Sequence, residues 1–255
     1  MADVIVVENL VKRYGTLEVV HDVSFTVRTG RTTALVGESG AGKSTIGGIV
    51  TGLVDATAGK VTVCGEDRSK AARSSRDRRR RAAQLQLVPQ DPITFLDPRQ
   101  RVSAALAETI ALHKSDHTPA DLMAAVGLST RYASAVPREM SGGQCQRVAI
   151  ARALAADPVA MVLDEAVSAL DVSVQAQVLN LLRDLQTRTS TAYLFITHDL
   201  SVVRQMADDV VVLRRGQVVE DGPAEQVLDD PQADYTKLLF ASTPRPGWKP
   251  VRRTA

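Results

Sequence analysis

The chain has 255 residues, of which 44% are apolar, 31 are basic and 29 are acidic, so the net charge is +2. This length suffices for one large α/β domain or for one domain with an inserted subdomain. The near balance of charges argues against nucleic acid or an anionic membrane as the main partner. The two cysteines stand in no metal-ligand spacing and indicate reduced thiols of a cytosolic protein. No signal peptide is recognisable, and no apolar run reaches the roughly 18 residues of a membrane span.

The first third of the chain alternates β-rich runs with turns. Residues 4–36 contain three such runs, "VIVVENL", "VSFTV" and "TTALVG". A helix is predicted from Lys43 to about Leu53, and "GKVTVCG" predicts a further short strand. Six arginines lie between Arg73 and Arg81. Such a run could bind nucleic acid or lipid headgroups, but we interpret it as the solvated face of a helix that leads into the strand "LQLV".

Helical periodicity dominates residues 91–157. In "TPADLMAAVGL", Thr118 predicts the start of a helix and Gly127 its end. His113 and His117 are four residues apart, a spacing that can bind a metal on a helix. Because the helix begins just after them and no third ligand is near, we expect a surface loop there instead.

Strands and helices alternate again in the last third. "VAMVLDE" predicts a strand that runs to Glu165, "TAYLFIT" a strand that ends at Thr197, residues 200–206 a short helix, and "VVVLRRGQVVEDG" a hairpin. A further helix buries one face through Val174, Val178, Leu181, Leu182 and Leu185. The last thirteen residues, "TPRPGWKPVRRTA", predict a loose basic tail. This alternation predicts an α/β fold, with a mainly parallel sheet and helices on both faces.

A glycine-rich loop is the first candidate site. "GESGAGKST" (37–45) fits the pattern G-x-x-x-x-G-K-[ST] and stands between a predicted strand and a predicted helix. Its glycines let backbone N–H groups approach phosphates, Lys43 adds a positive charge, Ser44 offers a hydroxyl to Mg²⁺, and the helix N-terminus adds its dipole. A purely structural glycine-rich turn is the alternative. The pattern favours a P-loop NTPase core that binds a nucleotide with Mg²⁺.

Two adjacent acids follow the strand "VAMVL". A P-loop requires a Mg²⁺-orienting acid at the end of a neighbouring strand, and Asp164 has that place. Glu165 leaves the strand with it, so one carboxylate can serve the metal while the other polarises a water. A "DE" pair is also common in surface turns, but at the end of a five-residue apolar run it indicates a site.

A second candidate anion site lies in "MSGGQCQRVAIARAL", where Ser141-Gly142-Gly143 opens a helix. The order of Tyr14, the P-loop, Gln90, "SGGQ", "LDE", "SALD" and His198 resembles the ABC ATPase family, over about residues 4–243. This resemblance implies that two nucleotide domains pair head-to-tail. The Ser-Gly-Gly of one chain would then close over the γ-phosphate held by the P-loop of the other.

The resemblance also implies a role for each matching position. Glu165 would be the general base, Gln90 would reach Mg²⁺ and the attacking water, and His198 would contact the γ-phosphate. Tyr14 would stack on adenine, and Asp171 would lie at the dimer seam. The ATP phosphates would be wrapped by Gly37, Ser39, Gly40, Ala41, Gly42, Lys43, Ser44 and Thr45. The partner's ATP would meet Ser141, Gly142, Gly143 and Gln144, and Mg²⁺ would be held by Ser44, Gln90 and Asp164.

Longer stretches resemble one branch of this family, the oligopeptide/dipeptide/nickel importer ATPases of the F type. They include "PQDPITFLDPRQRV", "LDEAVSALDVSVQAQVLNLL" and "DDPQADYTKLLFAS". The branch implies a peripheral subunit at the cytoplasmic face of the membrane. Its partners would be a second, different ATPase, two permease subunits and an extracytoplasmic binding protein, with no nucleic acid. The solute would be a peptide, a nickel chelate or a metallophore.

Two other functions stay open at this point. The first is a soluble ABC-type ATPase of DNA repair, translation or cluster assembly. Translation-type members carry two such domains in one chain, and DNA-repair types insert long coiled coils or zinc sites, whereas this sequence has one domain and neither insertion. A kinase or GTPase outside the family would leave "SGGQ" without a purpose. We expect a core formed by residues 1–90 and 158–243 with an N-terminal antiparallel β region, an inserted α-helical subdomain (91–157) and a flexible basic tail (244–255).

Overall fold

The computed structural model describes residues 2–69, 72 and 74–241, and the predicted basic tail lies outside them. The strands are β1 (Asp3–Tyr14), β2 (Leu17–Arg28), β3 (Thr32–Val36), β4 (Ala58–Val63), β5 (Glu66–Asp67), β6 (Leu85–Val88), β7 (Ala160–Asp164), β8 (Ala192–Thr197), β9 (Asp209–Arg214) and β10 (Gln217–Pro223). The α-helices are α1 (Lys43–Thr51), α2 (Ser75–Gln84), α3 (Pro92–Phe95), α4 (Val102–His113), α5 (Pro119–Ala125), α6 (Gly142–Leu154), α7 (Val172–Thr189), α8 (Leu200–Met206), α9 (Ala224–Asp229) and α10 (Asp234–Ala241).

The strands form two sheets. The first has the order β2-β1-β4-β5 and is antiparallel throughout. The second has the order β10-β9-β3-β8-β7-β6, and only the edge strand β10 runs against its neighbour. The predicted fold class is therefore confirmed. Because the carboxyl ends of parallel strands meet at one edge, the segments that follow β3, β6, β7 and β8 converge there.

The large sheet is covered on both faces, as its apolar strands require. Alternate residues of β7 and β8 point to opposite sides. Met161 and Phe195 pack in a cluster with α6 and α7. Val162 and Ile196 pack in another cluster with α1 and the antiparallel sheet. This two-sided packing holds the carboxyl edge of the sheet rigidly.

Helices α3 to α6 lie between β6 and β7, together with two short 3₁₀ turns. Helix α5 begins as predicted, because Thr118 accepts the N–H of Asp121 in a reciprocal capping box and Pro119 follows it. Helix α2 contains five of the six arginines of the run and passes directly into β6, as expected, whereas Arg73 lies outside the described residues. No helix among the described residues is long and apolar enough to cross a membrane.

The expected loop at the two histidines is wrong for His113. That residue ends α4, whose buried positions Val102, Leu106 and Thr109 recur at helical spacing, and the left-handed Lys114 stops the helix one residue later. His117 does lie outside a helix, and its Nε2 is 2.8 Å from Asp157 Oδ1. In the described part of the chain, no group of three or more His, Cys, Asp or Glu side chains is arranged to hold a metal ion.

Candidate functional site

The loop between β3 and α1 is shaped by glycines that no other residue replaces without strain. Gly40 and Gly42 have φ angles of 80° and 98°, in the left-handed region. A Cβ on Gly37 would lie 2.3 Å from the carbonyl oxygen of Leu213, and one on Gly42 would lie 2.8 Å from that of Val19. Helix α1 has no side-chain cap at its start, so its first N–H groups remain free for a ligand.

Lys43 turns back into this loop. It is only 5% exposed, and its Nζ donates to the carbonyl oxygens of Gly37 at 2.7 Å and Glu38 at 2.8 Å. Burial lowers the pKa of Lys43, and the charges of Glu165 and Asp164 oppose that shift. The ammonium group therefore lies among neutral acceptors beside an uncapped helix start. That arrangement fits the phosphates of a nucleotide, to which the ammonium group and the free N–H groups can donate.

Asp164 ends β7 beside the first turn of α1. The Ser44 hydroxyl donates to its Oδ1 at 3.2 Å. Burial raises the pKa of Asp164 and the charge of Glu165 adds to this, whereas the Ser44 hydrogen bond and the charge of Lys43 act against it. A hydroxyl and a carboxylate oxygen side by side are hard oxygen donors of the kind that Mg²⁺ takes. These residues therefore fit the expected metal.

Glu165 is held by its backbone in an uncommon conformation. Its φ is 46°, in the left-handed region, where a residue other than glycine is strained. Its N–H donates to Ile196 O at 2.9 Å, and its carbonyl oxygen accepts the N–H of Ser168 at 3.1 Å and its hydroxyl at 2.9 Å. The neighbouring strand and the following turn thus fix where this carboxylate points.

The Glu165 carboxylate joins two other predicted site residues. Gln90 Nε2 donates to its Oε2 at 2.9 Å, and His198 Nδ1 lies 3.2 Å from its Oε1. These residues follow β6, β7 and β8, three adjacent strands of the parallel sheet. The structure therefore brings Gln90, Glu165 and His198 together at the same sheet edge as the P-loop.

The remaining P-loop residues are placed around the same turn. Ser39 is exposed, Ala41 is buried, and Thr45 is half-buried in the first turn of α1. Tyr14 ends β1 and is 51% exposed, with Lys12 Nζ 4.7 Å from its ring centroid. Among the described residues, no hydrogen bond joins the Tyr14 side chain to the loop. The β1–β2 hairpin that carries Tyr14 reaches the loop through Val19.

The "SGGQ" segment lies elsewhere and is closed on itself. The Ser141 hydroxyl accepts the N–H of Gln144 at 3.3 Å, and the Ser141 N–H donates to Gln144 Oε1 at 2.9 Å. Gly143 is buried so closely that a Cβ would lie 2.3 Å from Val174 Cγ1. Asp171 is exposed at the start of α7. Within the described residues, no hydrogen bond joins 141–144 to the P-loop.

Residues that the sequence analysis did not single out support the loop from below. Tyr235 of α10 is buried in one cluster with Val36, the last residue before the P-loop. The guanidinium of Arg214 lies 4.7 Å from the Tyr235 ring centroid, and the preceding Leu213 is the residue whose carbonyl faces Gly37. In the sequence, this packing could have been predicted from the aromatic residue in the helical segment "DYTKLL".

Comparison with known proteins identifies the family to which this sequence is similar. Residues 20–168 match the ABC transporter family. A putative peptide import ATP-binding protein of Brucella abortus is 48% identical over 238 residues, which are 90% of this chain and 70% of that protein. The oligopeptide transport ATP-binding protein OppF of Bacillus subtilis is 41% identical over 252 residues, or 94% of this chain and 80% of that protein.

A solved structure has the same fold. The ATP-binding cassette MJ0796, in a dimeric post-hydrolysis state bound to ADP and Pi, gives a TM-score of 0.74 with 25% identity, over 86% of this chain and 98% of that one. The dipeptide transport ATP-binding protein DppF of Escherichia coli is 43% identical over 229 residues, or 88% of this chain and 68% of that protein. With a family match over more than half of its length and relatives at these identities, the chain belongs to the ABC transporter family.

Proposed function

We propose that this chain is the ATP-binding and ATP-hydrolysing subunit of an importer for peptides or related small solutes such as nickel chelates and metallophores. One observation carries the ATPase assignment: a P-loop with a buried lysine lies at the same sheet edge as a carboxylate that is held by Gln90 and His198. The solute class is supported by relatives that are described as peptide import, oligopeptide transport and dipeptide transport ATP-binding proteins.

The nucleotide is held at the start of α1. Lys43 and the free N–H groups of the loop bind the β- and γ-phosphates, and Tyr14 stacks on the adenine. Mg²⁺ is held by Ser44 and Asp164, with Gln90 reaching the same ion, and when bound it neutralises charge on the phosphate oxygens. The P-loop positions proposed to wrap the phosphates are Gly37, Ser39, Gly40, Ala41, Gly42, Lys43, Ser44 and Thr45.

Glu165 acts as the general base. It takes a proton from the attacking water as the water oxygen bonds to the γ-phosphorus. The bond between that phosphorus and the bridging oxygen breaks, and ADP and inorganic phosphate leave. Gln90 orients the carboxylate and the water, and His198 contacts the γ-phosphate. The rigid backbone of Glu165 keeps the base in one place for this step.

The segment 141–144 serves the nucleotide of a second ATPase. The start of α6 offers N–H groups and the Ser141 hydroxyl to the γ-phosphate bound by the partner, and Asp171 lies at the seam between the two chains. The dimeric state of MJ0796 supports this pairing. We infer that the partner is a different ATPase of the same family, arranged head-to-tail.

The membrane partner docks on a groove between the end of α1, helix α2 and strand β6. The groove encloses about 510 Å³ and is lined by Leu53, Phe95, Arg78, Ala82 and other residues. Leu53 is 72% exposed and Phe95 is 44% exposed, so apolar surface is open to a partner. We propose that one of two permease subunits binds here and that the pair holds the chain at the cytoplasmic face of the membrane. An extracytoplasmic binding protein delivers the solute to them.

Two units carry out these roles. We propose a nucleotide-binding core of residues 1–90 and 158–243, and a helical insertion of residues 91–157 that carries Ser141. The P-loop, Asp164, Glu165 and His198 belong to the first unit. Helices α3 to α6 belong to the second, so movement of the insertion would bring its α6 start toward a partner.

The first experiment is affinity purification from gently solubilised membranes of the native cell. We expect two polytopic membrane proteins and a second ATPase to co-purify with the tagged chain. The variant Leu53→Asp should lose them, and Leu238→Asp, which alters another exposed leucine on α10, should retain them. If the wild-type chain is recovered alone or with ribosomes or nucleic acid, the transport proposal is wrong and a soluble ABC-type ATPase takes its place.

A further inference from the structure

Positive charge is concentrated in one short segment of this chain. Eight basic residues and one acid lie between Arg68 and Arg81, a net charge of +7 in a chain whose total is +2. Five of these arginines belong to α2, which has no buried residue. A helix without an apolar face gains little from core packing. Its composition therefore points to a role at the surface.

The arginines of α2 face a second basic element across a cleft. Arg76, Arg79 and Arg80 line one wall, and His113 and Lys114 at the end of α4 line the other. The cleft has a volume of about 550 Å³, and no acidic side chain lines it. We call it the α2–α4 cleft. Cations that converge around an open volume without a counter-charge form an anion site.

Of the arginines that line the cleft, Arg80 already forms ion pairs with acidic residues. Arg80 binds Glu66 and also Asp77, the latter at 2.7 Å. By contrast, neither Arg76 nor Arg79 has an acidic partner within 4 Å among the residues that the structure describes, and the same holds for Lys114. The positions outside that part of the chain contain neither Asp nor Glu.

The wall formed by α4 is fixed in place. Lys114 adopts a left-handed conformation with φ 56°, and its N–H caps the helix at Ile110 O. Burial lowers the pKa of His113, so at neutral pH its imidazole offers one N–H donor without a charge. The cleft thus combines two unpaired guanidinium groups, an ammonium group and a neutral donor.

We propose that the α2–α4 cleft binds a phosphate-bearing anion, with Arg76 and Arg79 as its main ligands and Lys114 beside them. A guanidinium group binds two phosphate oxygens through parallel hydrogen bonds. Because no carboxylate lines the cleft, the guanidinium N–H groups of Arg76 and Arg79 are available for such bonds. This site is separate from the P-loop, which follows β3, and does not depend on the proposed transport function. The phosphate comes either from the headgroup of an anionic lipid or from a free polyphosphate.

The position of α2 in the fold favours a lipid headgroup as the source of the phosphate. The opposite side of the same helix, with Arg78, Arg81 and Ala82, lines the groove that contains Leu53. A membrane protein bound in that groove would bring the α2–α4 cleft near its surroundings. The even charge balance of the whole chain conceals this local field, because the remainder of the chain is net negative.

The test uses the full chain with its P-loop filled by a non-hydrolysable ATP analogue and Mg²⁺. In one arm, the chain is sedimented with vesicles of phosphatidylglycerol and phosphatidylcholine, or with phosphatidylcholine alone. In the other, inorganic triphosphate is added and hydrogen exchange is followed in residues 75–84 and 112–114. Binding in either arm should weaken with rising salt.

Two variants remove the same charge from different places. Arg76→Gln/Arg79→Gln should weaken binding about tenfold or more, since each basic residue near an anionic surface contributes about a fivefold change in affinity. The matched control is Arg183→Gln/Arg188→Gln on α7, which should stay within about twofold of the wild type. Arg76→Lys/Arg79→Lys keeps the charge and should restore much of the vesicle binding. Circular dichroism and unchanged affinity for the ATP analogue confirm that each variant is folded.

Each outcome decides the proposal. Binding to anionic vesicles that is lost in the Gln variant and kept in the control identifies a lipid headgroup. Protection by triphosphate with the same variant pattern, but no vesicle binding, identifies a soluble polyphosphate. If neither arm shows binding, or if the α7 control loses as much as the cleft variant, the α2–α4 cleft is not a phosphate site.

Discussion

We propose two glycine-rich helix starts of this chain as anion sites, and they differ in what surrounds them. The start of α1 has no side-chain cap, lies under a buried Lys43 and faces Asp164 and Glu165. The start of α6 has its own cap, because Ser141 and Gln144 close a reciprocal box, and its Ser141 is exposed. The first loop is surrounded by the side chains proposed to hold a nucleotide with Mg²⁺, whereas the second has only its own helix cap.

This difference distinguishes a loop proposed to bind the chain's own nucleotide from a loop proposed to contact the nucleotide of a partner. At α1 the loop geometry depends on left-handed glycines and on contacts with β2 and β9. At α6 the geometry depends on ordinary helical capping, so the segment keeps its shape without a ligand. A site that keeps its shape alone is suited to closing over a ligand brought by another molecule. The following changes test that division, from the largest expected effect to the smallest.

Replacing the base should have the greatest effect. Glu165→Gln keeps the side-chain size but removes the proton acceptor, so we expect ATP hydrolysis by the assembled complex to fall by about 10²–10⁴-fold with ATP binding retained. Phosphate release and nucleotide titration measure the two quantities. The control is Glu225→Gln on the exposed side of α9, which should hydrolyse ATP at the wild-type rate. Turnover close to normal in Glu165→Gln would remove this residue from its assigned role.

A charge in the second loop should separate the two sites. Aspartate caps a helix as well as serine, so Ser141→Asp should leave the stability of α6 unchanged. It also brings a negative charge to the place proposed for the partner's γ-phosphate. We expect ATP affinity of the isolated chain to stay within about twofold, and hydrolysis by the assembled complex to fall at least about tenfold.

The conservative variant Ser141→Thr keeps the hydroxyl and should retain most of the hydrolysis. Nucleotide titration of the isolated chain and phosphate release by the complex distinguish the two effects. Full hydrolysis in Ser141→Asp would mean that this loop does not meet a phosphate.

Alanine in place of glycine should affect the stability of the two loops in opposite directions. Gly42→Ala forces a left-handed conformation and places a Cβ 2.8 Å from Val19 O, so we expect a loss of about 2 kcal/mol or more. Gly142→Ala meets only Leu170 Cδ2 at 3.7 Å in a right-handed helix, so we expect a gain of up to about 1 kcal/mol. Urea unfolding without nucleotide measures both. Equal losses would contradict the difference between the loops.

The smallest effect concerns pH. Burial raises the pKa of Asp164 above its ordinary 3.8, so the folded chain holds this proton more tightly than the unfolded chain. Stability from this group therefore falls as pH rises from 3.8 through the raised pKa, and the loss is complete above it. Asp164→Asn should stabilise the nucleotide-free chain at pH 7, and the gain should shrink toward pH 4. The exposed Asp184→Asn is the control, and a gain independent of pH would contradict this cause.

Much of the fold followed from residue patterns. The strand, loop and helix around Lys43 were predicted because apolar runs, glycines and a helix start occur in that order. His198 was placed at a strand end for the same reason. The end of α4 was missed at His113, since no glycine or proline marks it and the stop is a left-handed lysine. Leu179, which follows the predicted position Val178, is also buried on α7 and was not predicted.

The site itself was predictable only in part. Single strand ends can be read from the sequence, but the meeting of Gln90, Glu165 and His198 depends on the order of three strands and on the left-handed backbone at Glu165. The resemblance assigned Gln144 to nucleotide binding, and the S-x-x-Q spacing also signals the capping box found here. Propensity cannot decide between these uses, because both employ the same side chain.

The self-contained cap of α6 has a consequence for the chain before assembly. Under the proposed pairing, a single subunit has its own base and P-loop but lacks the donors that a second ATPase supplies, so it would hold ATP without consuming it. Newly made copies that wait for their partners would thus cause no idle breakdown of nucleotide in the cell. ATP hydrolysis would begin only when the transporter is assembled, because the second ATPase supplies the missing donors. No inhibitor would be required to keep the single subunit inactive.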